Sequence, residues 1–114
     1  RVESVNLVVD GEVTIEGGDG GYAYASQTDI AAPILSYGGA AILFYSNVFA
    51  ADLSIIAGDG GSGDFYFEES GYGGLAELRS FNNRVYIDGR VMVIGGDGGT
   101  AAVGGDGGEA KVRI

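Results

Sequence analysis

Apolar side chains in this chain come in short bursts, and nearly every burst is closed by glycine. Val5 to Val9, Val13 to Ile15, Ile42 to Tyr45, Leu53 to Ile56, Phe65 to Phe67, Val85 to Ile87, Val91 to Ile94 and Lys111 to Ile114 are rich in β-branched and aromatic residues, the types that suit a pleated, half-buried surface. Within and around them apolar and polar positions alternate with period two, the signature of a strand. No window of a dozen residues carries apolar side chains at i, i+3, i+4 and i+7 free of glycine, so helix is not expected. The best helical candidate, Asp29 to Leu35, is interrupted by Pro33. The pattern predicts an all-β chain of alternating turn and strand.

The bursts repeat. Leu7 to Gly21 recurs without a gap as Val85 to Gly99, and Val48 to Gly61 forms a third copy between them, so the unit is about 39 residues. Internal repeats therefore lie near 5–21, 45–61 and 83–99, with a short C-terminal unit at 104–114, inside one all-β repeat domain spanning 1–114. A second phrase, Gly-Gly-x-Ala-x-apolar, falls between the copies: Tyr37-Gly38-Gly39-Ala40-Ala41-Ile42-Leu43 matches Tyr72-Gly73-Gly74-Leu75-Ala76-Glu77-Leu78. Glycine pairs thus punctuate the chain at half the repeat length.

Repeats of this kind predict a β-solenoid, parallel β-helix-like, with turns of about 20 residues stacked through parallel pairing, five to six of them in all. The alternative is an antiparallel, jelly-roll-like β-sandwich, because Asp10-Gly11 and Asp88-Gly89 between apolar residues are the usual signal of a two-residue hairpin. Ala50-Ala51 in the middle copy argues against that hairpin. Gly-Asp-Gly-Gly occurs four times, starting at Gly18, Gly58, Gly96 and Gly105, and the last two lie only nine residues apart. There the chain reads in triplets, the period of a polyproline II helix, so local polyglycine II-like segments accompany either fold.

Composition narrows the function. The chain has 114 residues, enough for a single core, with 23 glycines, one proline, no cysteine and no histidine. Sixteen acidic against six basic residues give a net charge of −10, and the six cations form no stripe, which excludes nucleic acid as a partner. Without histidine or cysteine the chain lacks the commonest general base, the thiolate nucleophile and the usual transition-metal ligands. Its longest apolar stretches are far shorter than a membrane-spanning helix requires. The chain starts at Arg1 without a leader-like segment and reads as a processed form or a piece of something larger. It carries no Asn-x-Ser/Thr acceptor.

The phrase Val9-Asp10-Gly11-Glu12-Val13-Thr14-Ile15 followed by a Gly-Gly loop resembles the glycine-rich right-handed β-helices of bacterial surface adhesins and autotransporter passengers. That resemblance implies an extracellular, cell-surface, structural or adhesive role and fixes no functional residue. The nine-residue spacing of the last two Gly-Asp-Gly-Gly motifs partly resembles the calcium-binding nonapeptide of repeats-in-toxin proteins. Gly95, Gly96 and Gly98 fit it, but Thr100 and Glu109 stand where that family has its ligand aspartate.

Three candidate chemistries follow. Asp19, Asp59, Asp97 and Asp106 recur in one loop context and are the candidate calcium ligands; the plain alternative is that Asp-Gly suits tight turns. Asp64, Glu68 and Glu69 beside Phe65, Tyr66, Phe67 and Tyr72 are the parts of a sugar site or of a glycan-active enzyme. Adjacent glutamates on a strand point to opposite faces, however, and no catalytic role is expected. The seven tyrosines, Tyr22, Tyr24, Tyr37, Tyr45 and Tyr72 among them, form a candidate surface-glycan stripe.

Val5, Leu7, Val9, Val112 and Ile114 lie in strand-like termini, and an unpaired terminal strand invites another copy to add to it. The expected role is an extracellular filament or adhesin subunit that assembles with itself by β-strand addition. A calcium- or carbohydrate-binding surface module is the second reading.

Overall fold

The computed structural model describes residues 1–22, 37–44, 46–63, 71–101 and 103–113. They contain ten strands and no helix: β1 Val2–Glu3, β2 Asn6–Val8, β3 Glu12–Glu16, β4 Ala41–Phe44, β5 Asn47–Ala50, β6 Asp52–Ile56, β7 Ala76–Arg79, β8 Val85–Ile87, β9 Val91–Ile94 and β10 Ala110–Arg113. The helical candidate Asp29 to Leu35 and the strand Phe65 to Phe67 lie outside the described residues, as do Tyr24, Tyr45 and Ile114.

Every pairing among these ten strands is parallel. Sheet A runs β1-β4-β7-β10, sheet B β2-β5-β8 and sheet C β3-β6-β9. Partners such as Leu7 and Val48, Val48 and Val85, or Val13, Leu53 and Val91 are about one full repeat apart in sequence. The stacking unit is therefore the whole unit of about 39 residues. The expected 20-residue turn, stacked five or six times, is corrected to three such layers, with β10 opening a fourth in sheet A. The glycine pairs that suggested the half-length turn mark instead the two long sides of one layer.

The antiparallel sandwich is also overturned. Asp10-Gly11 joins β2 to β3 and Asp88-Gly89 joins β8 to β9, yet these strands belong to different sheets, so each Asp-Gly is a corner where the chain passes from sheet B to sheet C. Ala51 makes the same corner between β5 and β6, donating its N–H to the Gly11 carbonyl (3.0 Å) and accepting from Gly89 (2.7 Å).

Sheets A and C face each other, β4 packing on β3 and β6, and β7 on β6 and β9. The core between them is Ile15, Ala41, Leu43, Val48, Ala50, Leu53, Ile55, Ala57, Ala76 and Leu78, with Val2, Leu7, Val13, Val85, Ile87 and Val93 packed at its margins. The core positions of β4 and β7 are each one alanine followed by one leucine, Ala41 and Leu43, Ala76 and Leu78, and the small alanines let the two walls approach. Outward on sheet A, the Glu77 carboxylate is buried and bridges Arg79 (2.7 Å) and Arg113 (3.3 Å), tying β10 to β7.

The walls continue into glycine tiers. Residues 17–21, 57–63 and 95–100 extend sheet C, and residues 37–40, 71–75 and 104–109 lead into sheet A. Within the first tier Ala57, Gly60 and Gly63 donate to the carbonyls of Ile94, Asp97 and Thr100, one bond every third residue, the polyproline II period. Across the tiers Gly71 and Gly74 donate to Gly61 and Gly58, and Gly96 and Gly99 donate to Gly74 and Gly71, so the two tiers run antiparallel. No described glycine has a positive φ. Many of the tier glycines are there for contact and not for left-handed backbone: a methyl on Gly58 would overlap the Gly18 carbonyl, whereas one on Gly18 or Gly21 would meet nothing within 4 Å.

Candidate assembly surface

Because each layer repeats the one below, equivalent residues form columns along the stack, and several columns are joined by side chains. The Asp59 N–H donates to Asp19 Oδ1 (2.8 Å), and the Asp97 N–H donates to Asp59 Oδ1 (2.7 Å). Asn47 Oδ1 accepts from the Arg84 N–H (2.8 Å), Asp52 Oδ1 from the Arg90 N–H (2.6 Å) and Ser62 Oγ from the Thr100 N–H (2.9 Å). The acidic residue of Gly-Asp-Gly-Gly thus binds the next layer's backbone, a charge-assisted bond worth more than a neutral one.

Of the four candidate calcium ligands, the structure brings Asp19, Asp59 and Asp97 into this column and places Asp106 in the other tier. Gly73 donates to the Asp106 carbonyl (3.0 Å) as Gly38 donates to that of Tyr72 (2.9 Å). The fourth Gly-Asp-Gly-Gly therefore occupies the site of Tyr37-Gly38-Gly39 and Tyr72-Gly73-Gly74. This explains its nine-residue spacing: the chain turns from one tier directly into the other. Among the described residues no group of three or more acidic side chains converges as a metal site.

The column makes a testable claim. Asp59→Ala is expected to lower stability by about 1–2 kcal/mol by removing an acceptor from the Asp97 N–H, with Asp59→Asn losing roughly half of that, measured by urea unfolding. Equal stability of all three proteins would remove the column's structural role.

Of the aromatic candidates, Tyr37 and Tyr72 stack with ring centroids 5.4 Å apart and an interplanar angle of 19°. Both remain exposed, as do Val8, Phe49 and Tyr86, which line up in register on the outer face of sheet B. Asp64, Phe65, Tyr66, Phe67, Glu68 and Glu69 lie outside the described residues.

The two ends of the stack stand out chemically. In the middle layer the core columns are sealed: Val48 and Leu53 are 0% exposed. Their equivalents above and below are not. Leu7 and Val13 on one side and Val85 on the other are half-buried, and Val91 is 46% exposed. The upper end is a concavity lined by Leu78, Ser80, Asn83, Arg84, Val85, Ile87, Val91 and Val112. Of the terminal residues proposed from the sequence, Leu7 packs at the margin of the core, Val9 is 36% exposed beside a bond to Phe49, and Val112 is 53% exposed. Val5 precedes β2, its N–H on Ser46 Oγ (3.3 Å).

Sequence reading missed Glu12, Arg84 and Arg90 as end-face residues. The signal was present, since the ungapped repeat sets Arg90 against Glu12, an acid-to-base exchange in an otherwise similar column.

No family model matches the chain, and no curated protein matches it. Among solved structures, the nine polyproline type II helical bundle springtail antifreeze protein from Granisotoma rainieri aligns with 99% of this chain and 87% of its own at 15% identity and a TM-score of 0.33. So loose a likeness carries no weight for fold or function.

Proposed function

We propose that this chain is a structural and adhesive module of an extracellular fibre or surface filament, a short β-solenoid that lengthens by strand addition at its ends. The observation that carries this reading is the pair of open ends: the Val48 and Leu53 columns are sealed in the middle layer and part-open above and below, beside strand edges of β8, β9 and β10 that have no partner strand among the described residues. An open parallel edge backed by apolar surface is a template for another strand. The face is also broad. Four strands at ~4.8 Å spacing make a stack of only about 20 Å, whereas the longest dimension is 54 Å, so that dimension lies within the layers. Each end then offers on the order of 1,000 Å², against ~800 Å² per partner in a standard interface.

The surface placement agrees with the acidic, cysteine-free composition and with the resemblance to adhesin repeats. Exposed Tyr37, Tyr72, Phe49 and Tyr86 suit contact with surface glycans through ring stacking.

Negative-stain images of the purified chain, with and without a chelator, test the proposal. Filaments or short stacks that persist in chelator, at an unchanged melting temperature, are expected. A monodisperse monomer up to millimolar concentration overturns it, and unfolding in chelator would shift the reading to a calcium-dependent module.

A further inference from the structure

The fibre reading leaves open how two copies meet, and sheet A restricts the answer. It has four strands where sheets B and C have three, so β10 already occupies the level at which the next layer's β1 would lie. If an incoming copy laid its β1 on β10, its β2 and β3 would sit one level too high. Sheets B and C would each keep an empty layer of ~4.8 Å, with Val85, Ile87 and Val91 still open. The two strands are equivalent in sequence as well as in place. Val2 of β1 pairs with Leu43 and Val112 of β10 pairs with Leu78, and both follow a cation, Arg1 or Lys111.

Resting on the fibre reading, we propose that a second copy of this chain docks head to tail by strand replacement: β10 of one copy takes the place of β1 in the next. The displaced strand is only two residues long, so little pairing is lost. The remaining strands then fall into the register that already joins the layers inside one chain. Leu7 of the incoming copy lies on Val85 and its Val13 on Val91, which closes both open core columns. Its Asp19 N–H meets Asp97 Oδ1, continuing the column Asp19, Asp59, Asp97.

Charge fits this polarity. Glu12, Asp52 and Arg90 form one column, so the incoming Glu12 lies next to Arg90 across the contact; its Oε1 accepts from Ser54 Oγ within its own chain (2.7 Å), which leaves the other carboxylate oxygen for the Arg90 side chain. Opposite charges at directly opposed positions of neighbouring strands stabilise the pair, and like charges there destabilise it. Reversed polarity would instead set like ends together, and Glu12 and Arg90 would not meet across the contact.

Charge reversal and its rescue form the test, read by sedimentation and electron microscopy on the full chain. Arg90→Glu alone and Glu12→Arg alone are each expected to raise the critical concentration for assembly at least tenfold, while the doubly substituted chain, whose interface again pairs opposite charges, assembles near the parent's concentration. Circular dichroism and melting curves of each monomer separate assembly defects from misfolding.

A second measurement fixes the register. Val8 and Tyr86 are exposed and would be adjacent across the contact. In this cysteine-free chain, Val8→Cys with Tyr86→Cys is therefore expected to give a ladder of disulfide-linked oligomers on mild oxidation. Val8→Cys with Asp88→Cys, two residues out of register, is expected to stay monomeric on a denaturing gel. Val8→Cys with Phe49→Cys, already paired within the chain, reports whether the geometry permits the bond.

If filaments form but the double charge variant stays unassembled, or the out-of-register pair crosslinks equally, strand replacement is wrong and the fibre reading stands. If no variant and no parent assembles, both fall.

Discussion

Gly58→Ala is expected to cost about 3 kcal/mol or more, enough to unfold much of the chain, while Gly18→Ala in the same motif one layer down is expected to stay within about 0.5 kcal/mol of the parent. Both glycines begin a Gly-Asp-Gly-Gly. At Gly58 the added methyl would overlap the Gly18 carbonyl and press on Gly17, and these are backbone atoms that cannot turn aside as a flexible side chain would. The Gly58 N–H is bonded to the Gly39 carbonyl and its own carbonyl accepts from Gly74, both at 2.9 Å, so relief requires breaking the contact between tiers. A methyl on Gly18 meets nothing within 4 Å, and the smaller freedom of alanine in the unfolded chain offsets part of any loss. Urea unfolding followed by circular dichroism checks the pair. Similar losses at both positions would mean that glycine here serves chain flexibility and not close approach.

Leu53→Ala is the other large effect, expected near 3 kcal/mol within the ~2–5 typical of buried Leu→Ala. Leu53 is fully buried in the middle layer, between Val13 below and Val91 above in the same column. Neighbours on both sides hold the cavity open, since strands at fixed spacing cannot collapse into it. Val91→Ala, at the open end, is expected to cost about 1 kcal/mol or less in dilute monomer, because much of that side chain already meets water. The contrast measures how differently the centre and the ends of the stack are sealed, and thermal melts of the two variants read it directly. Equal losses would mean that the upper end is covered in solution.

Much of the strand content was legible from local chemistry. Val85 to Ile87 and Val91 to Ile94 coincide with β8 and β9, because β-branched residues between glycine and Asp-Gly corners leave few other options. β1 was harder, since it has two residues, too few for a period to show. β7 alternates plainly, with Ala76 and Leu78 in the core; what the sequence did not show is that its Glu77 carboxylate is buried between Arg79 and Arg113. The repeat of about 39 residues was also plain in the sequence, but its meaning was not. Two glycine pairs per repeat fit two short turns as well as one long flattened turn, and nothing local distinguishes them.

By itself, then, the sequence determined an all-β chain with a repeat of about 39 residues and glycine at fixed places in it, since these follow from composition and from spacing along one chain. The tertiary structure decided what stacks on what. Parallel register set the layer at one full repeat, made Asp-Gly a corner between sheets, placed the fourth Gly-Asp-Gly-Gly opposite tyrosine in the second tier and turned the repeated aspartates into a column of bonds between layers. The physical reason is that hydrogen bonds between layers join residues about 40 positions apart while glycine contacts between tiers join residues at shorter, varied separations, and which such pairing wins depends on packing the whole layer at once.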